Sequence, residues 1–188
     1  KTMIIPDRSF IRQRGDAYRN SFAFQKSECV YDVTYHFAHR FLQKGDRTID
    51  QMIQAARSGK QNIAEGLCDG DTSKEMEIKL LNVAKASLQE LRIDYEDYLR
   101  TRNLQQWKVG DDKLEQTRRV CAAHNDSEYY RLAIAERSDE TIANIALVLI
   151  AQTDKLLYNL IEKKKQDFLQ SGGIKEEMAR ARREHRGY

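Results

Sequence analysis

Apolar side chains recur every three or four positions along most of the chain, the spacing of one face of an α-helix. The clearest case is the segment 46–66, in which Asp46 and Thr48 are candidate N-caps and Gly66 stands where a glycine would end a helix. Its apolar positions are Ile49, Met52, Ile53, Ala56 and Ile63. The pattern predicts a helix over 46–66, and we expect the rest of the chain to pack around it.

Gly59 lies in the middle of this helix, where a glycine costs about 1 kcal/mol relative to alanine. Because small residues surround it, the position predicts the close approach of a second helix, with approach of a ligand as the alternative. Glu65 stands in the last turn, where the helix dipole disfavours a negative charge. We expect it to meet a cation from another helix or another subunit, with a solvated carboxylate as the alternative. The residues predicted to pack helices or subunits together are Ala56, Gly59, Asn62, Ile63, Glu65 and Gly66.

Three further segments have the helical period. Helices are predicted over 27–43, about 72–102 and about 138–170. The predicted inward stripe of the 72–102 helix is Met76, Leu80, Val83, Ala84, Ser87, Leu91, Tyr95 and Tyr98. Thr72 is the expected cap of that helix. A connection of only a few residues joins the first two helices, which predicts that they pack antiparallel.

No alternating strand pattern competes with these helices, so the predicted fold is all-α. We expect an antiparallel up-down four-helix bundle over 26–170. An irregular, basic N-terminal arm is expected over 1–25, an insertion over 103–137 before the last long helix, and a short basic suffix tail over 171–188. Within the insertion, 111–124 has the pattern of a short amphipathic helix.

Composition agrees with a single domain that carries no membrane span. The chain has 188 residues, of which 40% are hydrophobic, and no apolar run reaches the roughly 18 residues that a span requires. Three scattered cysteines support neither a disulfide framework nor a zinc site. With no secretory signal recognised, the sequence predicts a cytoplasmic protein.

Motifs of catalysis are missing. The sequence contains no phosphate-binding glycine loop, no metalloprotease motif, no nucleophile elbow and no Glu-x-x-His pair for a di-iron centre. His36 and His39 follow Asp32 at helical spacing and are the one candidate metal site, although a surface or hydrogen-bonded histidine is the commoner role. Acidic neighbours of Cys68 disfavour it as a nucleophile. We therefore predict a protein that is not an enzyme and has no cofactor or metal.

Cations on the central helices and in the tail are the remaining candidate chemistry. Such residues are commonly a solvated helix face, but several subunits would combine their field and attract phosphate backbones. The candidate nucleic-acid-binding residues are Arg57, Lys60, Lys74, Lys79, Lys85, Arg180, Arg182 and Arg183. The formal net charge of +3 is only mildly basic.

The central stretch resembles a known family. AARSGKQNIAEG at 55–66, followed by TSKEMEIKLLNVAKASLQEL at 72–91, is similar to the four-helix bundle family of the large-subunit rRNA intervening-sequence proteins and the accessory variability determinant proteins of retroelements. The run from Asn62 to Gly66 is the most specific part. The tail GGIKEEMARARREHR at 172–186 looks like the suffix that a bacterial subgroup adds after its bundle.

This resemblance implies an up-down bundle that forms a homo-oligomer, with a pentameric ring known in the family. Its retroelement branch implies an accessory protein that binds a reverse transcriptase and RNA or DNA through a basic surface. No family catalytic residues exist to transfer. We therefore expect a non-enzymatic oligomeric nucleic-acid-binding accessory protein, and the alternative is a protein-interaction scaffold that binds no nucleic acid.

Overall fold

A computed structural model of the chain describes residues 17–68, 73–171 and 182–185, and most of these residues are helical, with no strand among them. A 3-10 turn, Ala17–Asn20, comes first, and residues 182–185 are also helical. The six α-helices are α1 (Phe22–Phe41), α2 (Arg47–Leu67), α3 (Lys74–Thr101), α4 (Asp112–Ala123), α5 (Ser127–Ala133) and α6 (Asp139–Ser171). The predicted all-α class is confirmed, and no described helix has an apolar stretch long enough to cross a membrane.

The four long helices surround one hydrophobic core. Helix α1 packs against α2 and α6, and α3 also packs against both, so the contacts run around a closed ring. Large side chains that are completely buried fill the centre, among them Phe37, Met52, Leu91, Tyr95 and Leu149. The short helices lie outside this ring, with α5 against α1 and α4 against α6.

Helices α2 and α3 approach closely at glycine, as predicted. A Cβ atom placed on Gly59 would lie 2.9 Å from Cδ2 of Leu88. Of the two roles predicted for Gly66, the helix end is wrong, because α2 continues through Leu67. A Cβ on Gly66 would lie 3.1 Å from Cγ of Leu81 and 3.2 Å from the backbone oxygen of Glu77, so its small size also serves the contact with α3.

Polar contacts join α3 to α6 along their length. The Tyr98 hydroxyl donates to Asp139 at 2.8 Å, and Lys164 donates to Glu77 at 2.6 Å. As residue numbers rise along α3, those of the partners on α6 fall. Across the ring, the Tyr95 hydroxyl on α3 donates to Thr34 on α1 at 3.1 Å.

The helix starts follow the capping residues. The Asp46 side chain accepts from the Thr48 backbone N–H at 2.9 Å, which confirms Asp46 as the cap of α2. Ser73 caps α3 by accepting from the Met76 N–H at 3.2 Å. The candidate cap Thr72 lies outside the described residues.

The first helix begins at Phe22, earlier than predicted. The interval 22–25 was expected to belong to the irregular arm, but Ala23 and Phe24 are buried, and the Phe24 and Tyr18 rings pack edge-to-face with their centroids 4.7 Å apart. These contacts extend α1 into the N-terminal segment. The rest of the arm, 1–16, lies outside the described residues.

The buried face of α3 agrees with the predicted stripe from Ala84 onward and differs from it nearer the start of the helix. Met76 and Val83 are 43% and 41% exposed, whereas Leu81, Ala84 and Leu88 are buried. In the first half of this helix neighbouring positions are both apolar, as at Val83 and Ala84, so the period alone allows either to face inward. Packing against α2 and α6 buries Leu81 there and leaves Met76 and Val83 exposed.

The insertion 103–137 contains α4, close to the predicted short helix, and α5. Lys26 on α1 is buried, and its ammonium donates to the backbone oxygens of Cys121 and His124 at the end of α4, the latter at 2.9 Å. The Tyr130 hydroxyl on α5 donates to the same His124 oxygen at 3.0 Å. A buried cation thus fixes the insertion to the core.

Candidate nucleic-acid interface

The cations that the sequence singles out do not form one surface on a single chain. Arg57 and Lys79 are exposed. The Lys60 ammonium lies 4.3 Å from the centre of the Tyr31 ring on α1, whereas Lys85 pairs with Asp154 on α6 at 3.4 Å. Because the α1–α2 and α3–α6 grooves are on opposite sides of the helix ring, Lys60 and Lys85 lie on opposite faces.

The other predicted cations add little to a shared surface. Lys74 is half-buried at the start of α3, and Arg182 and Arg183 are exposed in the short helical segment near the C-terminus. Arg180 lies outside the described residues.

Two of the predicted packing residues, Gly59 and Gly66, lie at the α2–α3 contact. Ala56 and Ile63 are completely buried beside the two glycines, and the half-buried Asn62 amide donates to the Ser58 backbone oxygen at 2.9 Å. Glu65 is exposed and has no ion pair with any residue that the structure describes. The expected cation from another helix is therefore not found there, and a partner on another subunit stays a prediction.

A stronger candidate lies at Trp107, in the loop between α3 and α4. The backbone N–H of Trp107 donates to Asn144 Oδ1 at 2.9 Å, and the Asn144 amide donates to the Gln105 oxygen at 2.9 Å. The Gln105 N–H donates to Glu140 at 3.0 Å. Since Asn144 is 2% exposed, these bonds hold the loop firmly on α6.

Trp107 forms one wall of a cleft of about 530 Å³ between the loop, α3, α4 and α6. Leu114, Leu147 and Val148 give the cleft an apolar lining. The indole N–H of Trp107 is buried and has no acceptor among the described residues. The charged residues around the cleft are Arg92, Lys108, Arg118, Lys155 and Glu96.

The positive charge continues along α3 and α6 past the cleft. Lys85 and Lys155 lie 5.5 and 5.3 Å from the centre of the Tyr158 ring, which is exposed. We name as the cationic strip the residues Lys85, Arg92, Lys108, Arg118 and Lys155. Three of these pair with Asp154, Glu96 and Glu115, which leaves a formal charge of +2. Aromatic rings at Trp107 and Tyr158 lie among these cations.

A second cleft, of about 460 Å³, lies on the other side of Trp107. Lys113 and Arg137 contribute charge to it, and no carboxylate belongs to its lining. Tyr129 lines it and stacks on His124, with ring centroids 3.6 Å apart and planes 4° from parallel. The insertion thus carries cations and aromatic rings on both sides of one tryptophan.

Sequence reasoning missed this site because it treated 103–137 as an insertion and looked for cations on the long central helices. The local signal was an aromatic residue beside a basic one, Trp107 and Lys108, followed by Arg118 in the next helix. What brings them together is Asn144, which carries no sequence signal of that contact.

Metal-ligand clusters and reactive thiols are the remaining chemistry to consider in the described residues. They contain no group of three or more His, Cys, Asp or Glu side chains arranged to hold a metal, although Asp32, His36 and His39 line one cavity. Burial raises the pKa of the Cys29 thiol to about 12 and also raises that of Cys121, which keeps both thiols protonated.

No protein-family model, curated protein or solved structure matches the chain.

Proposed function

We propose that this chain is a non-enzymatic, self-associating helical-bundle protein that binds RNA or DNA as an accessory or ribonucleoprotein-type factor. The cationic strip beside Trp107 is the observation that carries this proposal. A reverse transcriptase is the protein partner that the resemblance suggests.

An antiparallel up-down bundle is the scaffold that this proposal requires. As residue numbers rise along α3, those of its partners on α6 fall, which supports this arrangement. Residue numbers also run in opposite directions between α2 and α3, where Gly59 meets Leu88 and Gly66 meets Leu81. Such a scaffold holds α3 and α6 side by side, so cations on both helices present one groove to a ligand.

Cations interleaved with aromatic rings suit single-stranded nucleic acid. Lysines and arginines contact the phosphates, while bases stack on aromatic side chains such as Trp107 and Tyr158. The carboxylates that pair with three strip cations do not prevent those cations from binding phosphate. Exposed ion pairs contribute only about 0–1 kcal/mol, so a phosphate can replace the carboxylate.

Binding of single-stranded RNA and DNA, measured by fluorescence anisotropy at several salt concentrations, tests the proposal. Replacing the two strip cations that have no ion pair in the described chain, Lys108→Gln with Lys155→Gln, should weaken binding about tenfold or more and flatten its salt dependence. The matched control is Arg57→Gln with Lys79→Gln, two exposed cations away from the strip. Absence of binding at low salt, or an equal loss in both double variants, would contradict the proposal.

The exposed apolar face of α3 supports self-association. Met76 and Val83 are seven residues apart, which places them on the same side of the helix. A second copy of the chain would bury this face. Sedimentation of the wild-type protein should show a multimer, and Val83→Asp should lower its mass. The control is Leu132→Asp, at an exposed position on α5, and a wild-type monomer at micromolar concentration would refute self-association.

A protein-interaction scaffold without nucleic-acid binding is the second candidate, favoured by the same exposed face of α3. The two experiments separate the candidates. A multimer that binds neither RNA nor DNA at low salt supports the scaffold, whereas a multimer with salt-sensitive binding at the cationic strip supports the first proposal.

A further inference from the structure

A cavity of about 460 Å³ lies between α1 and α5, separate from the cationic strip. Its α1 wall contains residues spaced three or four apart, among them Asp32, His36 and Arg40, which share one face of that helix. Arg131 on α5 faces them across the cavity. Its volume is within the range of small-molecule sites.

We propose that this cavity binds a small organic oxyanion, in which a phosphate or carboxylate group is attached to a flat ring. The proposal does not depend on nucleic-acid binding, because no residue of the cationic strip lines the cavity.

Two guanidinium groups supply the charge for the oxyanion. Arg40 donates to the backbone oxygen of Ala135, and Arg131 donates to Glu128, its neighbour on α5. Each guanidinium has five N–H donors, so both retain donors for a ligand after making these bonds. Among the residues that line the cavity, Asp32 is the one with a carboxylate. Planar guanidinium groups match the geometry of phosphate and carboxylate.

His36 adds a donor position. Its Nε2 atom is buried and has no partner among the described residues. A buried polar atom without a partner is costly, and a bound oxyanion would satisfy it. Nε2 donates to an oxyanion when it carries the proton, either in the neutral ring or in the imidazolium, which a ligand anion would favour.

A wall formed by two adjacent rings explains why a flat group is expected beside the oxyanion. The rings of Tyr35 and His39 lie 4.2 Å apart and 33° from parallel. His39 Nδ1 is 2.9 Å from the Tyr35 backbone oxygen, which holds the imidazole in position. Tyr35 is 50% exposed, so part of its surface is available to a ligand. Aromatic ligands pack favourably on such rings.

The binding experiment follows the imidazole signals of the histidines by NMR during titration, with His36→Gln used to assign the His36 signal. The probes are phenyl phosphate, benzoate, inorganic phosphate and, as the uncharged analogue, phenol. We expect saturable shifts of the His36 and His39 signals with at least one ring-bearing anion, at a Kd below about 1 mM. Inorganic phosphate should bind more weakly than phenyl phosphate, and phenol should not saturate. The tighter of phenyl phosphate and benzoate identifies the preferred oxyanion.

Arg131→Gln should weaken this binding about tenfold, equivalent to about 1.4 kcal/mol, because it removes one guanidinium while its exposed position leaves the fold intact. Arg137→Gln is the matched control, an exposed arginine that does not line the cavity. The proposal is overturned by three results: no saturable shift at about 10 mM probe, equal binding of phenol, or equal loss in both variants. The double variant Lys108→Gln with Lys155→Gln should bind the probe normally, which separates this site from the nucleic-acid proposal.

Discussion

Gly59 on α2 and Leu88 on α3 meet in a close contact between these two helices. A Cβ atom on Gly59 would lie 2.9 Å from Cδ2 and 3.0 Å from Cγ of Leu88, closer than carbon atoms pack. Leu88 is buried in the core, so its side chain has little room to move. The glycine therefore sets the distance between these two helices.

Gly59→Leu should lower the free energy of unfolding by about 1–3 kcal/mol, because the new side chain overpacks the contact with Leu88. Urea unfolding followed by circular dichroism measures the change. Gln61→Leu is the control, since it introduces the same residue at an exposed position of α2. Unfolding curves that superimpose for wild type and Gly59→Leu would show that the two helices do not meet there.

Local patterns predicted the helices well and their faces less well. The interior glycine at position 59 correctly indicated a close helix contact, because a local cost of this kind needs a tertiary reason. Val83 and Ala84 were both assigned to the core, yet only Ala84 is buried. Periodicity alone cannot choose between two adjacent apolar positions, since the choice depends on where α2 and α6 lie.

The candidate binding sites were less accessible to sequence reasoning than the helices. Trp107 reaches the cationic strip because Asn144, far along the chain, binds its loop. The cavity at His36 exists because Arg131 on α5 faces α1. Both sites combine residues from the bundle with residues from the 103–137 segment, whose position on the bundle no local pattern encodes.

Lys26→Met should destabilise the protein by about 1–3 kcal/mol. The substitution keeps the buried aliphatic stem but removes the ammonium that donates to the Cys121 and His124 oxygens. The loss is limited because the Tyr130 hydroxyl still donates to His124. Urea unfolding checks the magnitude, with Lys44→Met at an exposed position as the control. Equal stability of Lys26→Met and wild type would mean that Lys26 does not anchor α4.

Stability should fall as the pH is lowered below about 6.5, the ordinary pKa of histidine. Burial, and secondarily the nearby Arg40, lower the pKa of His36 in the folded state. The unfolded chain therefore takes up a proton first, and each step down in pH favours unfolding until the folded-state pKa is passed.

Urea unfolding between pH 5 and pH 7.5 measures this dependence, and His36→Gln should reduce its slope in this range. His39→Gln is the matched control, because His39 is exposed on the same helix. A slope that is the same in wild type and His36→Gln would contradict the assignment to His36.

Only one of the three cysteines should react quickly with a thiol reagent in the folded protein. Burial raises the pKa of the Cys29 thiol to about 12, so its thiolate fraction at pH 8 is on the order of one in ten thousand. Cys121 is also buried and has a raised pKa, whereas Cys68 is half-buried at the end of α2.

Titration with Ellman's reagent at pH 8 should therefore show one fast thiol, and all three should react after unfolding in urea. Cys68→Ser should remove the fast phase without changing the total found for the other two. Fast reaction of two or more thiols in the folded protein would show that the α1–α4 contact around Lys26 opens readily. The Lys26→Met variant weakens that contact, so Cys121 should react faster in this variant than in the wild type.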